Sequence, residues 1–280
     1  MAKRWLITGA TGLLSDYLIE ACGKNGVVTT TARSGGDRRC DLTDRAAVLS
    51  LLSEAAPDVV VHAAGLTDVD GCERDPDMAF AVNRDTGANI VAGLPASARI
   101  VFVSTDQVYP DTPGPHAEDK VGPVNVYGRS KLAGEQAVRE HPGALVLRAN
   151  FFGASRREGR ASLSDFVIRS LTAHQNATFF SDILFSPLHM ATLGALVTEM
   201  AERGVTGVFN AGCRSGASKA DFALAVARHK NLQTGTSRIG SSTAMPDRAP
   251  RPKDMRMAVE RIERALGRPM PTLDEEVAKL

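Results

Sequence analysis

The sequence predicts an α/β protein with a doubly wound parallel sheet and a smaller C-terminal domain. Short apolar runs alternate with amphipathic segments over roughly the first 150 residues, as in strands that are buried on both faces and joined by helices. A glycine-rich turn follows the first run, and the segments become irregular from Ala154 onward. We therefore assign residues 1–150 to a dinucleotide-binding Rossmann domain. Residues 151–280 mainly form a substrate-binding domain, and a segment at about 183–205 could return to the first domain.

The elements follow from this alternation. The predicted strands of the sheet are Arg4–Thr8, Val27–Thr31, a short run before Cys40, Asp58–His62, Arg99–Val103 and Ala144–Leu147. The predicted helices between them end near Lys24, Ala55, Leu94 and Val138. The second half is predicted to contain helix Leu163–Ala173, strand Phe179–Phe185, a lead-in Ser186–His189 to a helix ending at Arg203, strand Gly207–Asn210, helix Lys219–Lys230, loop Arg251–Met255 and helix Ala258–Leu266.

Composition excludes several classes of function. The 280 residues carry 33 Lys and Arg against 32 Asp and Glu, so no charge surplus favours nucleic acid or an anionic membrane as a partner. The four cysteines lack the spacing of a metal site or a disulfide framework, which predicts free thiols and a cytoplasmic location. The apolar start is broken at Thr8 and Gly9, so we expect no signal peptide. No apolar run is long enough to span a bilayer.

The glycine-rich turn before the first helix predicts a site for the pyrophosphate of a dinucleotide. Glycines let the backbone approach phosphates, and the N-terminus of a helix presents free N–H groups to them. The spacing is Gly-x-x-Gly-x-x-Ser, so Ser15 stands where a third glycine is common. The residues expected to contact the cofactor here are Gly9, Thr11, Gly12, Leu13 and Leu14.

The residues after the second strand bear on the choice of cofactor. Arg33 has no adjacent acid, and an arginine suits the 2′-phosphate of NADP, whereas a carboxylate would bind the ribose of NAD. Asp37 is near enough in the chain to weaken this signal. NADP is therefore the preferred cofactor and NAD the alternative. Asp41 and Leu42, after the short third strand, are expected to contact the adenine end, and Thr43 or Asp44 would cap the next helix.

Small residues and two polar ones lie around the end of the fourth strand. Ala63, Ala64 and Gly65 are small enough to let a cofactor lie against the backbone. His62 ends a buried strand, where a histidine is more often structural, and we assign it no role. Asn83 lies inside a predicted helix, which asparagine disfavours. It either bonds a neighbouring backbone group and shapes the site or faces solvent.

Tyr127 and Lys131 form the predicted acid–base pair. They lie four residues apart and therefore on one face of a helix. Because an ammonium favours the phenolate, we expect Lys131 to lower the pKa of Tyr127 from its usual value of about 10, so that Tyr127 exchanges protons near neutral pH. The strand Arg99–Val103 would deliver Thr105 and Asp106 to the carboxyl end of the sheet, where such sheets bind ligands.

These motifs, in this order, resemble those of the extended short-chain dehydrogenases/reductases, and within them most resemble the dTDP-4-dehydrorhamnose reductases. The resemblance runs nearly end to end. It rests on Gly9-Ala10-Thr11-Gly12, Ala63-Ala64-Gly65-Leu66-Thr67-Asp68-Val69-Asp70 with Glu73, Ser104-Thr105-Asp106, Tyr127-Gly128-Arg129-Ser130-Lys131, Arg148-Ala149-Asn150, Phe185-Ser186-Pro187 and Arg251-Pro252-Lys253-Asp254. It implies NADPH-dependent reduction of a 4-keto-6-deoxy sugar attached to a nucleoside diphosphate. It is compatible with a homodimer, and no acidic cluster here indicates a metal site.

The resemblance also implies roles for individual residues. Thr105 would hydrogen-bond the substrate carbonyl, Tyr127 would donate a proton to the forming alkoxide, and Lys131 would bind the nicotinamide ribose. Ser104 would contact the cofactor. The residues expected near the nucleotide sugar, between the two domains, are Thr67, Val69, Thr105, Asp106 and Asn150. Gln107 and Phe151-Phe152-Gly153 depart from the usual pattern of these reductases, which leaves the identity of the sugar open.

Three alternatives share this fold. Sugar-nucleotide 4,6-dehydratases need a carboxylate pair after the threonine, and the pair here is Asp106-Gln107, in which the amide cannot take a proton. Epimerases retain NAD, which Arg33 disfavours. A non-catalytic NADP-binding regulatory subunit, such as that of methionine adenosyltransferase, has the same reductase-like fold, because fold does not determine function. The presence of Thr105, Tyr127 and Lys131 favours an enzyme.

Overall fold

The structure is a computed structural model that describes residues 2–235, 237–244 and 248–280. Its strands are β1 (Lys3–Thr8), β2 (Gly26–Ala32), β3 (Arg38–Arg39), β4 (Val59–His62), β5 (Arg99–Thr105), β6 (Ala144–Phe152), β7 (Thr178–Phe180), β8 (Leu184–Phe185), β9 (Pro187–His189), β10 (Gly207–Ala211), β11 (Ala217–Ser218), β12 (Arg238–Gly240) and β13 (Asp254–Met255).

The α-helices are α1 (Ser15–Gly23), α2 (Arg45–Ala55), α3 (Val69–Arg74), α4 (Pro76–Phe80), α5 (Thr86–Gly93), α6 (Val126–Val138), α7 (Leu163–Thr172), α8 (Met190–Glu202), α9 (Lys219–His229), α10 (Glu260–Leu266) and α11 (Leu273–Val277). A π-helical segment, Ala81–Asp85, joins α4 to α5, and short 3-10 helices cover Asp106–Val108 and Ser242–Ala244. Across the described part of the chain, we find no helix with the length and apolar character of a membrane span.

The main sheet confirms the predicted doubly wound fold. Its strand order is β10-β6-β5-β4-β1-β2-β3, every neighbouring pair is parallel, and β9 pairs with the last residues of β6. The order reverses between β1 and β4, so the carboxyl ends of these strands flank the crevice in which such sheets bind ligands.

Both faces of the main sheet are buried, which explains the continuous apolar runs of its strands. Val59 and Val61 of β4 face a core shared with α1, α8 and α10, whereas Val60 faces a core shared with α2, α5 and α6. Adjacent residues of a strand point to opposite faces, so a strand covered by helices on both sides needs apolar residues at every position. Helix α8 and strand β10, from the second half of the chain, thus complete the layers around the first half.

The rest of the second half forms a separate cluster beside the carboxyl end of β6. Helices α7, α9 and α11 pack on a core that includes Phe152, Phe185 and Phe222. The predicted single strand Phe179–Phe185 is wrong, because β7 pairs with β12 whereas β8 pairs with β11 and β13. The predicted lead-in Ser186–His189 contains a strand, β9, and part of the late loop is strand β13. The division of the chain into two domains stays a prediction.

Two helical predictions also need correction. The helix expected to run from Pro76 to Leu94 is interrupted by the π-helical segment, whose Asn83 is 1% exposed. Such segments are inserted where a helix must present a side chain or accommodate a neighbour. Helix α11 was not predicted, because it has only five residues, although Thr272 and Glu275 form a capping box at its start.

We expect Gly134→Ala to destabilise the protein, although alanine normally stabilises a helix interior by about 1 kcal/mol relative to glycine. A Cβ at Gly134 of α6 would lie 2.1 Å from the carbonyl oxygen of Asn83 and 2.9 Å from the Phe102 ring. Forced overpacking of this kind costs about 1–3 kcal/mol. The measurement is the free energy of unfolding in urea.

The matched control is Gly23→Ala at the end of α1, where a Cβ would meet nothing within 4 Å. Its free energy of unfolding should stay within about 0.5 kcal/mol of the unmodified protein. Equal stability of Gly134→Ala and Gly23→Ala would show that α6 can move away from the π-helical segment.

Candidate active site

The turn between β1 and α1 has the geometry of a phosphate-binding loop. Gly9 has a φ of 77°, and a Cβ there would lie 2.9 Å from the backbone nitrogen of Ala64. No side chain caps α1, whereas Asp44 caps α2 and Asn125 caps α6. The uncapped N–H groups at the start of α1 are therefore available to an anion.

The other residues predicted at this turn have different positions. Thr11 is exposed, and a Cβ at Gly35, in the loop after β2, would lie 3.2 Å from its methyl group. Leu13 is partly buried, and Leu14 is buried in the core beneath the sheet. Any contact of Leu14 with a cofactor is consequently through its backbone. The Ser15 hydroxyl donates a 2.7 Å hydrogen bond to the Gly12 carbonyl, which closes the turn.

The loop after β2 presents an exposed arginine. Arg33 is exposed directly after this strand. The Asp37 carboxylate accepts hydrogen bonds of 2.8 Å from the backbone and the hydroxyl of Thr30, which lower its pKa. The Oδ2 of Asp37 is therefore already engaged by Thr30, which disfavours Asp37 as a ribose-binding acid.

Asp41 and Leu42, the two residues predicted to contact the adenine end, already accept hydrogen bonds within the protein. The hydroxyl and N–H of Thr43 donate to the Asp41 carboxylate and hold its pKa below the usual value, with a smaller contribution from Arg33. Leu42 is buried in the core, and its carbonyl accepts from Asn89 at 3.0 Å. Asp44 rather than Thr43 caps α2, by accepting from Ala46 and Ala47.

Asn83 connects the loop after β4 to the helix that carries Tyr127. Its Oδ1 accepts from the Leu66 N–H at 2.9 Å, and its Nδ2 donates to the Leu66 carbonyl at 3.0 Å and to the Ser130 hydroxyl at 2.9 Å. The alternative that this side chain bonds a neighbouring backbone group is thus confirmed, and its effect on the site stays a prediction. A Cβ at Gly65 would lie 3.1 Å from Asn83 Oδ1, so the loop lies directly against this amide.

Thr105 and Tyr127 meet at the carboxyl end of β5. Thr105 ends this strand, where its Oγ1 accepts from the Gln107 N–H and donates to Asp106 Oδ1, both at 3.2 Å. Tyr127 is 8% exposed, in the first turn of α6. Burial raises the pKa of Tyr127, and a hydrogen-bonding interaction with Thr105 opposes this rise. The phenol is consequently protonated at neutral pH and has a hydroxyl neighbour.

Lys131 lies one helical turn after Tyr127 in α6, and its side chain contacts strand β5. Its Nζ donates a 2.8 Å hydrogen bond to the Val103 carbonyl and lies 4.0 Å from the centroid of the Phe102 ring. Burial lowers the pKa of Lys131 to about 8. The expectation that Lys131 holds the pKa of Tyr127 below its usual value is wrong. Burial of the phenol raises this pKa and outweighs any effect of the lysine charge.

A buried ion pair between Arg148 and Glu135 joins β6 to α6, the helix that carries Tyr127 and Lys131. Arg148 donates to both carboxylate oxygens of Glu135, the shortest contact being 2.7 Å, and both side chains are at most 3% exposed. Ser104 Oγ also donates to Glu135. The hydroxyl of Ser104 therefore gives its proton to Glu135, and a contact of Ser104 with the cofactor stays a prediction.

The predicted substrate residues divide into two groups. Asp106 and Asn150 lie together, with the Asn150 amide donating to Asp106 Oδ2 at 2.8 Å. Burial raises the pKa of Asp106, and the Asn150 hydrogen bond and the Lys219 charge oppose this rise. Val69, at the start of α3, packs against the hydrophobic cluster that contains Tyr127, and Thr67 is exposed in the loop before it. The structure thus links Asn150 to Thr105 through Asp106 and places Val69 against the cluster that contains Tyr127.

Residues 3–280 match the protein family described as the RmlD substrate binding domain. The chain belongs to this family. It is 31% identical to the probable low-salt glycan biosynthesis reductase Agl14 of Haloferax volcanii, over 98% of this chain and 96% of that protein. It is 34% identical to the dTDP-4-dehydrorhamnose reductase of Mycolicibacterium smegmatis, over 90% of this chain and 77% of that protein.

Two further similarities concern the fold and one of the alternatives. The crystal structure of dTDP-4-dehydrorhamnose reductase from Bacillus anthracis in complex with NADP has the same fold, with a TM-score of 0.89 at 24% identity over 99% of this chain and 98% of that one. This member of the RmlD family is also 28% identical to the methionine adenosyltransferase 2 subunit beta of Bos taurus, over 93% of this chain and 82% of that protein.

Two residues that resemble catalytic groups have structural roles in this RmlD-family chain. Thr86 donates to the Val82 carbonyl and so accepts from His62 Nε2, while Thr8 bonds His62 Nδ1 at 2.8 Å. Burial lowers the pKa of His62 to about 3, so it is neutral, and its hydrogen bonds agree with the structural role expected from the sequence. Gln107 Oε1 accepts from Asn125 at 2.9 Å and its Nε2 contacts the Met255 sulfur.

Sequence reasoning missed Lys219, the first residue of α9, whose Nζ lies 3.4 Å from the centroid of the Phe185 ring and whose charge opposes the rise in the pKa of Asp106. A lysine directly after the Ser218 cap was the available signal, because a cation at the N-terminus of a helix opposes the helix dipole. Glu135 and Arg148 were missed as a pair, because thirteen positions of chain separate them and the sequence does not show which strand faces α6.

We expect Lys131→Met to change how stability depends on pH. Folding lowers the pKa of Lys131 from 10.5 to about 8, so the unfolded chain binds more protons between these pH values. Stability contributed by this group therefore rises with pH across that window. The unfolding free energy of the unmodified protein, minus that of Lys131→Met, should increase from pH 7 to pH 10. Parallel pH curves would contradict the burial of a charged Lys131.

Proposed function

We propose that this protein is an NADPH-dependent reductase of a nucleotide-linked 4-keto-6-deoxy sugar. The observation that carries the proposal is the meeting of the Thr105 and Tyr127 hydroxyls at the carboxyl end of β5, with Lys131 one turn away. Two hydroxyls that converge there can hold one carbonyl oxygen. The relatives named as dTDP-4-dehydrorhamnose reductases, and a reductase of glycan biosynthesis, support this class of reaction.

The protein would activate the carbonyl and supply the proton. Bound NADPH would deliver a hydride to the carbonyl carbon, which is chemistry of the cofactor. The Thr105 hydroxyl would turn from Asp106 Oδ1 to donate a hydrogen bond to the carbonyl oxygen, and Tyr127 would transfer its phenolic proton to that oxygen as negative charge develops. The raised pKa of Tyr127 keeps the phenol protonated, the form that such a reduction requires.

Lys131 would hold the ribose next to the nicotinamide. One of its N–H groups bonds the Val103 carbonyl, which leaves two further donors on the ammonium. A Cβ at Gly65 would lie 3.8 Å from the Nζ, so the ammonium is close to the loop Ala63–Gly65 that we expect along the cofactor. The positive charge would also stabilise the tyrosinate left after proton transfer.

Three features support NADPH as the cofactor. The uncapped start of α1 suits the pyrophosphate, the exposed Arg33 suits the 2′-phosphate, and Asp37 is engaged by Thr30. The NADP bound to the Bacillus anthracis relative agrees with this choice. The substrate would reach Thr105 past Val69 and Thr67, with Asp106 and Asn150 beside its sugar. A homodimer and a cytoplasmic location stay predictions.

A dehydratase is disfavoured because Gln107 is an amide that already bonds Asn125, and an amide cannot remove a proton. Retained NAD, as in an epimerase, is disfavoured by Arg33. The second candidate function is a regulatory subunit, which the similarity to methionine adenosyltransferase 2 subunit beta favours. Turnover of a nucleotide sugar decides between these functions.

Arg33→Ala should remove most of the preference for NADPH over NADH. A charge-assisted hydrogen bond to phosphate contributes about 1.5–3 kcal/mol, or roughly 10- to 100-fold in affinity. The measurement is the dissociation constant of each cofactor by titration. Arg139→Ala, at the exposed end of α6, is the matched control and should keep the preference. Equal constants for NADPH and NADH in the unmodified protein would refute the assignment.

Tyr127→Phe should abolish turnover and preserve cofactor binding. Loss of a general acid typically costs about 10²–10⁴-fold in rate, whereas the ring that packs against Val69 and Cys72 is retained. The test is NADPH oxidation with a panel of 4-keto-6-deoxy nucleotide sugars, together with a cofactor titration. Full turnover by Tyr127→Phe would show that another group is the acid. NADPH binding without turnover of any sugar by the unmodified protein would favour the regulatory subunit.

A further inference from the structure

Two consecutive arginines of the loop after β6 contact the first helix of the chain. Arg156 Nη1 donates to Glu20 at 2.8 Å, and Arg157 Nη2 donates to Asp16 at 2.5 Å. Asp16 and Glu20 lie four residues apart on α1, so they share one face of this helix. The proposed roles explain neither pair. Since the start of α1 belongs to the expected cofactor site, the charge on this face bears on cofactor binding.

Other contacts dock this loop onto α1. The hydroxyl of Tyr17, the next residue of the helix after Asp16, donates to the Ala154 carbonyl at 2.8 Å. The guanidinium carbon of Arg156 lies 4.1 Å from the centroid of the Tyr17 ring, a cation–π contact. Neither contact involves the side chain of Asp16 or Arg157. We therefore look for the effect of the Arg157–Asp16 pair in its charges rather than in the docking of the loop.

Asp16 is the first charged residue of α1. It is the second residue of a nine-residue helix whose start no side chain caps. With a rise of about 1.5 Å per residue, it lies within the first turn, beside the N–H groups that are available to an anion. A carboxylate at this point stabilises the helix itself, but it repels the negatively charged pyrophosphate of a dinucleotide. An unpaired Asp16 would therefore weaken cofactor binding.

Arg157 offsets the charge of Asp16. The side chains of this pair are 34% and 24% exposed, whereas those of Arg156 and Glu20 are 46% and 50% exposed. Water and salt therefore screen the Arg157–Asp16 pair less than its neighbour.

The hydrogen bonding of the Arg157 guanidinium also indicates an effect of charge. One of its nitrogens, Nη2, donates to Asp16 Oδ1, and its Nε is buried without an acceptor among the residues that the structure describes. The forked pairing that Arg148 makes with Glu135 is therefore absent from this pair within the described part of the chain. A single bond demands less of the geometry, so another cation at position 157 should serve nearly as well.

We propose that Arg157 is a positioning residue of the cofactor site, which neutralises Asp16 and so lets the start of α1 accept the pyrophosphate of the dinucleotide. This inference rests on the proposed function, because it takes the pyrophosphate to bind at the turn between β1 and α1. The pyrophosphate is common to NADPH and NADH, so Arg157 favours both cofactors alike. Arg33 differs in this respect, since it is expected to act on NADPH alone.

The test measures the dissociation constants of NADPH and NADH for Arg157→Met, for Asp16→Asn and for the double variant. We expect Arg157→Met to weaken the binding of both cofactors by about 5- to 20-fold, because it leaves an unpaired carboxylate beside the pyrophosphate. Asp16→Asn should bind both at least as tightly as the unmodified protein, since Arg157 is then a free cation. The double variant should return to within about 2-fold of the unmodified protein.

Two further variants serve as controls. Arg156→Met removes the neighbouring contact between the same loop and the same helix, but its partner Glu20 lies one turn farther from the start of α1. Both of its dissociation constants should stay within about 2-fold of the unmodified protein. Arg157→Lys keeps the positive charge and should retain most of the affinity for both cofactors.

The signs of the two single variants separate charge from docking. If the pair acts by fixing the loop, Asp16→Asn and Arg157→Met should weaken binding alike, and the double variant should stay as weak, which would overturn the inference. An equal loss in Arg156→Met, or a loss for NADPH alone, would overturn it as well. If Arg157→Met unfolds at a much lower temperature than the unmodified protein, Arg157→Gln replaces it, with the same signs expected. Failure of the unmodified protein to bind either dinucleotide would instead overturn the proposed function, and this inference with it.

Discussion

The candidate site depends on the buried ion pair between Glu135 and Arg148. Arg148 lies on β6, Glu135 on α6, and the Ser104 hydroxyl of β5 also donates to Glu135. Arg148 donates further to the Tyr109 hydroxyl and to the Glu118 carbonyl. Removing one member of such a pair leaves an unpaired buried charge, which costs about 3–5 kcal/mol. The pair thereby fixes α6 relative to β5 and β6, and with it the positions of Thr105, Tyr127 and Lys131.

Asn83 provides a second constraint, on the opposite side of α6. It lies in the π-helical segment and bonds Leu66 in the loop after β4 and Ser130 in the helix. Gly134 lets α6 approach this segment closely enough for the contact. The loop expected along the cofactor and the helix that carries the acid are thus parts of one hydrogen-bonded unit.

Burial, rather than charge pairing, sets the protonation of the site. It raises the pKa values of Tyr127 and Asp106 and lowers those of Lys131 and Lys219. Every one of these shifts favours the neutral form, because taking an ionised group out of water is costly. A phenol that stays protonated suits a reaction in which the protein gives a proton to its substrate.

Local sequence was sufficient for the parallel sheet, the glycine-rich turn and the Tyr127–Lys131 spacing, because each depends on periodicity or on a few consecutive residues. It was also sufficient for a structural His62, which follows from a buried strand end. Only the tertiary structure decided that Asp37 is engaged by Thr30, that burial raises the pKa of Tyr127, and that Glu135 pairs with Arg148. These depend on groups that are distant in the chain or on the removal of water, and neither is encoded in a short stretch of residues.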